Sequence, residues 1–167
     1  MAKRIVSITT QTPTATADTA NLVDATYPFL IQGGSSTQRT NILEIFEGGQ
    51  AGASSPTFMI LSRDSTVAVT NSNGTGQTDA SLDAATAALA AAVITGNTNT
   101  TKPQRSSTLH LLNLSYNAFG GIVRWVAAPG EEISIVGNTA SLGEASFSAF
   151  TGGTPGLQGT HMIYESF

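Results

Sequence analysis

Two histidines, His110 and His161, and eleven carboxylates are the whole stock from which acid–base or metal chemistry could be built in this chain. Cysteine is absent, which removes disulfides, thiolate nucleophiles and Cys-based zinc or iron–sulfur sites. Ser, His and Asp are all present, yet no G-x-S-x-G elbow or comparable nucleophile signature accompanies them. His110 lies in the run Thr108–Tyr116 and His161 in Thr160–Ser166, each alternating with apolar neighbours. That pattern suits a hydrogen-bonded strand residue better than a general base. A metal site would need both histidines to converge with a carboxylate such as Glu165 or Asp64, and nothing in the spacing favours it. Glu131-Glu132 reads as a solvated pair after a turn. Asp79 and Asp83 sit where a helix start would favour acids. Glu44 and Glu47 fall on opposite faces of a strand by parity, so they do not work as a pair. The segment Asn71-x-Asn73-Gly74 bears only a faint likeness to a calcium loop and lacks its closing Glu. No G-x-x-x-x-G-K-[ST] exists, and Gly152-Gly153-Thr154-Pro155-Gly156 does not lead into a helix. The sequence therefore assigns no catalytic, cofactor-binding or metal-binding residue, and implies no cofactor.

Charge narrows the partners. Seven basic residues against eleven acidic ones give a net charge of −4, and the basic residues are scattered. Nucleic-acid binding needs them clustered, because phosphate neutralisation supplies most of the affinity. No apolar run approaches the roughly 20 residues that a membrane-spanning helix requires. The opening Lys3-Arg4-Ile5-Val6-Ser7-Ile8-Thr9-Thr10 is too polar and short for a signal-peptide core. Neither nucleic acid nor membrane is an expected partner. Only 11% of residues are charged, whereas about a quarter are Ser or Thr. The polar surface is thus expected to be made of hydroxyls, amides and backbone.

The elements that position these residues read as strands. Apolar runs rich in Val, Ile, Phe and Leu alternate with Gly, Pro, Asn and Ser clusters at intervals of about ten residues. Ten strands are expected: Arg4–Thr10, Tyr27–Gln32, Arg39–Glu47, Thr57–Arg63, Thr66–Thr70, Thr108–Tyr116, Gly121–Ala128, Glu131–Gly137, Glu144–Phe150 and Thr160–Ser166. In Arg39–Glu47, Ile42 and Phe46 should face one way, Leu43 and Ile45 the other, so both faces need cover. Gly48–Ser55 is expected to join two strands as a hairpin. Pro129-Gly130 suits the centre of a type II turn. A two-residue hairpin there would set Val126 against Ile133 and Trp125 against Ser134, a wider loop or a corner between sheets being the alternative. Thr78–Gly96 carries Leu82, Ala85, Leu89, Ala92 and Val93 at helical spacing, with Asp79 or Ser81 as cap and Gly96 as stop. The expected fold is mainly β: a two-layer antiparallel β-sandwich, jelly-roll-like, with one Ala-rich helix. An extended N-terminal arm over residues 1–20 precedes the sandwich domain of residues 21–167, which carries a loop and helix excursion at 71–107.

Residues Leu112 to Glu132, LNLSYNAFGGIVRWVAAPGEE, in a small cysteine-free chain rich in Thr, Ala and Gly, resemble tailed-bacteriophage virion proteins, most closely the head decoration (cement) proteins. The resemblance implies a β-sandwich or jelly-roll homotrimer that binds the major capsid protein on the outside of the phage head and reinforces the shell. It implies synthesis in the host cytoplasm, location on the virion, and no enzymatic activity or transferred site residues. A low-charge, hydroxyl-rich surface fits that role, because each unpaired charge buried at an interface costs several kcal/mol. Two other readings compete. A fibre or carbohydrate-binding module would display Tyr27, Tyr116, Trp125 or Tyr164, and a small jelly-roll enzyme would bring His110 and His161 into one pocket.

Overall fold

The computed structural model describes residues 4–12, 29–66, 80–85, 94–96, 103–152 and 157–167. They form eleven strands: β1 (Arg4–Thr12), β2 (Phe29–Gln32), β3 (Arg39–Gln50), β4 (Pro56–Thr66), β5 (Ala80–Ser81), β6 (Ile94–Gly96), β7 (Gln104–Asn117), β8 (Val123–Val126), β9 (Ile133–Val136), β10 (Glu144–Gly152) and β11 (Leu157–Ser166). There is no helix among the described residues. One sheet runs β5-β1-β11-β3-β8, with β9 also on β3, and the other runs β6-β2-β10-β4-β7. Every pairing is antiparallel and the main ones are nested: β1 with β11, β2 with β10, β3 with β8 and β9, β4 with β7. The first and last strands thus zip together across the length of the chain, a topology of high contact order that closes late in folding.

Nine of the ten expected strands are present, and the tenth, Thr66–Thr70, contributes only its first residue, as the end of β4. Residues 67–70 lie outside the described residues. The expected Gly48–Ser55 hairpin is a crossover, since β3 and β4 belong to different sheets. Pro129-Gly130 does form the expected turn: Glu131 N–H donates to Ala128 O at 2.9 Å, and Gly130 has φ +87° as a type II turn requires. It does not close a hairpin. β8 and β9 lie end to end on one edge of β3, with Val126 opposite Glu44, Trp125 opposite Ile45, Ile133 opposite Ile42 and Ser134 opposite Asn41. They are one interrupted strand. The turn's twist, which suits tight hairpins poorly, is accommodated by this detour.

The expected helix is corrected at both ends. Ala80–Ser81 pairs with β1 and Ile94–Gly96 with β2, so the excursion adds an edge strand to each sheet. Asp83 Oδ1 accepts the Ala85 N–H at 2.9 Å and Ser81 Oγ donates to Asp83 O, a local bonding pattern that competes with helix for Ser and Asp backbone. The Ala-rich centre, residues 86–93, lies outside the described residues. Of the expected arm, residues 4–12 form β1, held between β11 and β5. Residues 1–3 and 13–20 are outside the described set.

The hydrophobic core draws on both sheets. Ile42, Ile45, Met162, Tyr164 and Ile135 come from one, and Phe29, Ile31, Met59, Leu61, Leu114 and Phe147 from the other. Phe29 and Phe147 stack with centroids 5.4 Å apart. Arg63 ties the sheets at one end, its guanidinium donating to the carbonyls of Leu142 and Ser134 at 2.9 Å each. The second sheet is buried on its other face as well: Leu30, Ile60, Ser62, Ser146 and Ser148 are all sealed although they are out of phase with the core residues.

Truncation at the centre should be severe and at the rim mild. Phe147→Ala should cost about 3–5 kcal/mol in denaturant unfolding, whereas Val136→Ala, at a half-exposed edge position, should stay within about 0.5 kcal/mol.

Candidate functional site

Three constellations of polar side chains arise from the fold. The first lies on the outer face of the six-stranded sheet. The ladder between β3 and β11 skips Leu43: Ile42 faces Tyr164 and Glu44 faces Ile163. This bulge resets the strand's phase, so Ile42 and Ile45 both enter the core and Glu44 and Phe46 both face outward. The expectation that Ile42 and Phe46 share a face is corrected by that one extra residue. Arg124 on β8 then reaches Glu44 through two parallel bonds of 2.8 and 3.0 Å, and its guanidinium lies 4.8 Å from the centre of the Phe46 ring. His161 meets the same ring edge-on at 5.6 Å. Beside them, Arg39 donates to Asn41 and Ser134, Ser134 donates to Asn41, and Asn41 donates to Glu165 at 3.0 Å. Glu44 and Arg124 form an ion pair, and Arg39 and Glu165 are hydrogen-bonded to the neutral Asn41 and, for Arg39, Ser134.

The second constellation is inside the core. Glu47 and Glu44 do take opposite faces, and Glu47 is the one turned inward, fully buried. Thr160 donates to its Oε2, while Oε1 has no partner. Gln158 Oε1 and Tyr116 Oη, buried nearby, are likewise without one, and Gln158 Nε2 donates to Met59 Sδ at 3.5 Å. Burial pushes Glu47 up to about 8, with the Thr160 and Gln158 bonds opposing the rise. The neighbouring Tyr116 phenol is pushed up by burial and by the Glu47 charge. Burial thus favours the protonated form of Glu47.

The third is a polar row across the outer face of the second sheet. Gln32 on β2 stands opposite Glu144 on β10, and Asp64 on β4 stands opposite Arg105 on β7. Asp64 and Glu144 hydrogen-bond through their side chains, Ser146 donates to Asp64 Oδ1 at 2.6 Å, and Arg105 donates to Ser148 at 2.6 Å. Asp64 and Glu144 are both inaccessible to solvent, and burial pushes Asp64 up to about 7 against the pull of its hydrogen bonds and of Arg105. Acid–base chemistry on a substrate needs an open approach to the reacting groups, which this sealed row lacks.

The residues singled out from sequence do not meet. His110 is exposed on β7 of one sheet, opposite Ser62, and His161 lies on β11 of the other. Glu165 is held by Asn41 on the outer face of the first sheet, and Asp64 belongs to the row on the second. Among the described residues no group of three or more His, Cys, Asp or Glu could hold a metal ion, and no helix is long and apolar enough to cross a membrane. Tyr116 and Tyr164 are buried and Trp125 packs against the core, so these three rings are not displayed for stacking on a sugar. Tyr27 lies outside the described residues. The reading from sequence missed the Gln32–Glu144–Asp64–Arg105 row. Its signal was Glu144-Ala145-Ser146-Phe147-Ser148-Ala149, where the polar phase is almost as small as the apolar one and so admits close cover.

No protein-family model matches the sequence, and no curated protein does either. Among solved structures, a capsid of a picornavirus, a massively expanded particle of equine rhinitis A virus, is similar at 10% identity and a TM-score of 0.26. That alignment covers 97% of this chain and 66% of the neighbour, just under two thirds of its length. A TM-score of that size defines no shared fold.

Glu47 makes stability depend on pH. Its folded pKa of about 8 lies above the ordinary 4.5, so the folded state keeps a proton that the unfolded chain has released. Its contribution is full below pH 4.5 and is lost as pH rises through 8, by up to roughly 4–5 kcal/mol. Urea titrations at pH 5, 7 and 9 should show this fall in the wild type. In Glu47→Gln, neutral throughout, the part of the fall that continues above pH 7 should disappear.

Proposed function

We propose that this chain is a non-enzymatic structural protein of a virion, a decoration or cement protein that binds the outside of a phage head and stabilises the shell. The two sheets form a jelly-roll sandwich in this reading. The orders β1-β11-β3-β8/β9 and β2-β10-β4-β7, with four nested antiparallel pairs, support it, and viral capsid and lectin domains are among the users of that architecture. β5 and β6 are additions at the edges of that plan.

One observation carries the functional reading: the charged groups on the outer face of the six-stranded sheet are held in hydrogen bonds within the chain while apolar groups stand exposed beside them. Glu44 is bonded to Arg124, Arg39 to Asn41 and Ser134, and Glu165 to Asn41, which leaves little to be stranded if another protein covers them. Val126 and Val136, together with Phe119 and Ile122 in the loop before β8, are exposed, Ile122 at 73%. A homotrimer seated through this face on the major capsid protein is the assembly proposed.

Purified protein added to undecorated shells should bind saturably and raise their resistance to heat. Val126→Glu combined with Val136→Glu should leave the thermal melt of the free protein nearly unchanged and weaken shell binding at least about tenfold, since each buried unpaired charge costs several kcal/mol. A monomer at high concentration that leaves shells unaffected would count against both the trimer and the role.

A further inference from the structure

We infer, resting on the shell-binding role proposed above, that the exposed row Ile122, Arg124 and Val126 reads the shell. Arg124 is its specificity-determining residue, donating its free N–H groups to neutral carbonyl oxygens of the capsid protein. β8 turns Val123 and Trp125 toward the core, which leaves Arg124 and Val126 on the outer face, with Ile122 in phase just before them. Each of the three is seated on β3. Val126 stands opposite Glu44, and Arg124 stands opposite Phe46. Ile122 lies over Gly48, where a β-carbon would stand 2.9 Å from its Cγ2. The glycine permits that close approach and gives an exposed isoleucine a fixed place.

Arg124 is held on two sides. Glu44 accepts from its Nε at 2.8 Å and from its Nη2 at 3.0 Å, and the Phe46 ring centre lies 4.8 Å from the guanidinium carbon. A planar fork fixed in this way has given up its rotamer freedom before a partner arrives, which is what a binding hot spot requires. The side chain is still 54% exposed, and both N–H groups of Nη1 and the second of Nη2 have no partner among the described residues. Charge decides what they meet. Glu44 already balances the guanidinium, and the whole chain carries a net charge of −4. A carboxylate brought to Arg124 would stand beside that of Glu44 and be repelled by it. A neutral carbonyl oxygen, from the main chain or an amide side chain, accepts the same N–H groups without that repulsion. Ile122 and Val126, before and after Arg124 in the row, exclude water from those bonds once covered and so strengthen them.

Binding of the full-length protein to undecorated shells would be titrated for the wild type, Arg124→Lys, Arg124→Ala and Gly48→Ala, with the free proteins melted alongside. Arg124→Lys keeps a positive charge beside Glu44 but loses the planar fork, and should weaken binding at least about tenfold, as should Arg124→Ala. Gly48→Ala acts only by displacing Ile122, so its affinity should fall between the wild type and Arg124→Lys. Both Arg124 variants should melt within about 3 °C of the wild type, because the side chain is exposed. The ratio of wild-type to Arg124→Ala affinity should change by less than about threefold from low salt to about 0.5 M NaCl, since neutral acceptors leave little charge to screen. Shells that the wild type does not bind overturn the decoration role and this assignment with it. Shells that bind Arg124→Lys as tightly as the wild type overturn the assignment alone, as does a melt that falls in step with binding. A ratio that collapses with salt marks a carboxylate partner and overturns the neutral acceptor.

Discussion

The bulge at Leu43 is the constraint on which the arrangement of this molecule depends. β3 is an interior strand of its sheet, with β11 along one edge and β8 and β9 along the other. Strict alternation over its twelve residues would put Ile42 and Ile45 on opposite faces. The extra residue brings both into the core, turns Glu47 inward after them and sends Glu44 and Phe46 outward together. The opposite edge answers at the same point. Ala127 N–H donates to Leu43 O at 2.8 Å, and there the chain leaves the ladder through the Pro129-Gly130 turn before returning as β9. One inserted residue thus positions the inner carboxyl, the outer charge network and the break in the edge strand.

Low charge is consistent with how the charged residues that exist are used. Asp64, Glu47, Glu144 and Arg105 are all buried or nearly so, an unusual fate for these residue types, which are seldom sealed unless paired. Neutral carboxyls explain how Glu47 is tolerated: a protonated acid is a donor as well as an acceptor, and burial favours that form. The hydroxyls of Thr160, Ser146 and Ser148 do the matching work, each donating to or accepting from one of these groups. The abundance of Ser and Thr therefore serves the interior of the second sheet's covered face as well as the surface.

The strands were legible because period-two alternation is a local signal, and so was the turn at Pro129-Gly130, whose chemistry is carried by two residues. Pairing was not. Whether Gly48–Ser55 closes a hairpin or crosses between sheets depends on where β11 lands, more than a hundred residues later, and no local pattern records that. At the two ends of the Ala-rich segment the helical spacing gives way for a related reason: Ala80–Ser81 and Ile94–Gly96 find free sheet edges, and tertiary pairing overrides propensity there. Of the polar sites, Glu44 and Glu47 were correctly assigned to opposite faces, but their partners Arg124 and Thr160 come from other strands. The row through Asp64 and Glu144 was invisible because its members are scattered from residue 32 to residue 105 and on to 144.

The two sheets differ in what their outer faces can offer. On the second sheet the outward residues, from Leu30 and Ile60 to the row through Asp64 and Glu144, are buried. On the first, the polar outward residues are locked in side-chain networks. Arg124 shows the consequence: half exposed, it is held by Glu44 and by the Phe46 ring, so its three contacts survive contact with a neighbour rather than competing with it. A face that has settled its own hydrogen bonds loses little solvation when covered, and the exposed valines at its rim gain from being covered. Reactive centres are built the other way, with unsatisfied groups held open to a substrate. The buried oxygens without a partner, Glu47 Oε1 and Asp64 Oδ2 among them, are closed to solvent, and the polar groups described on the outer face of the first sheet are bonded to one another.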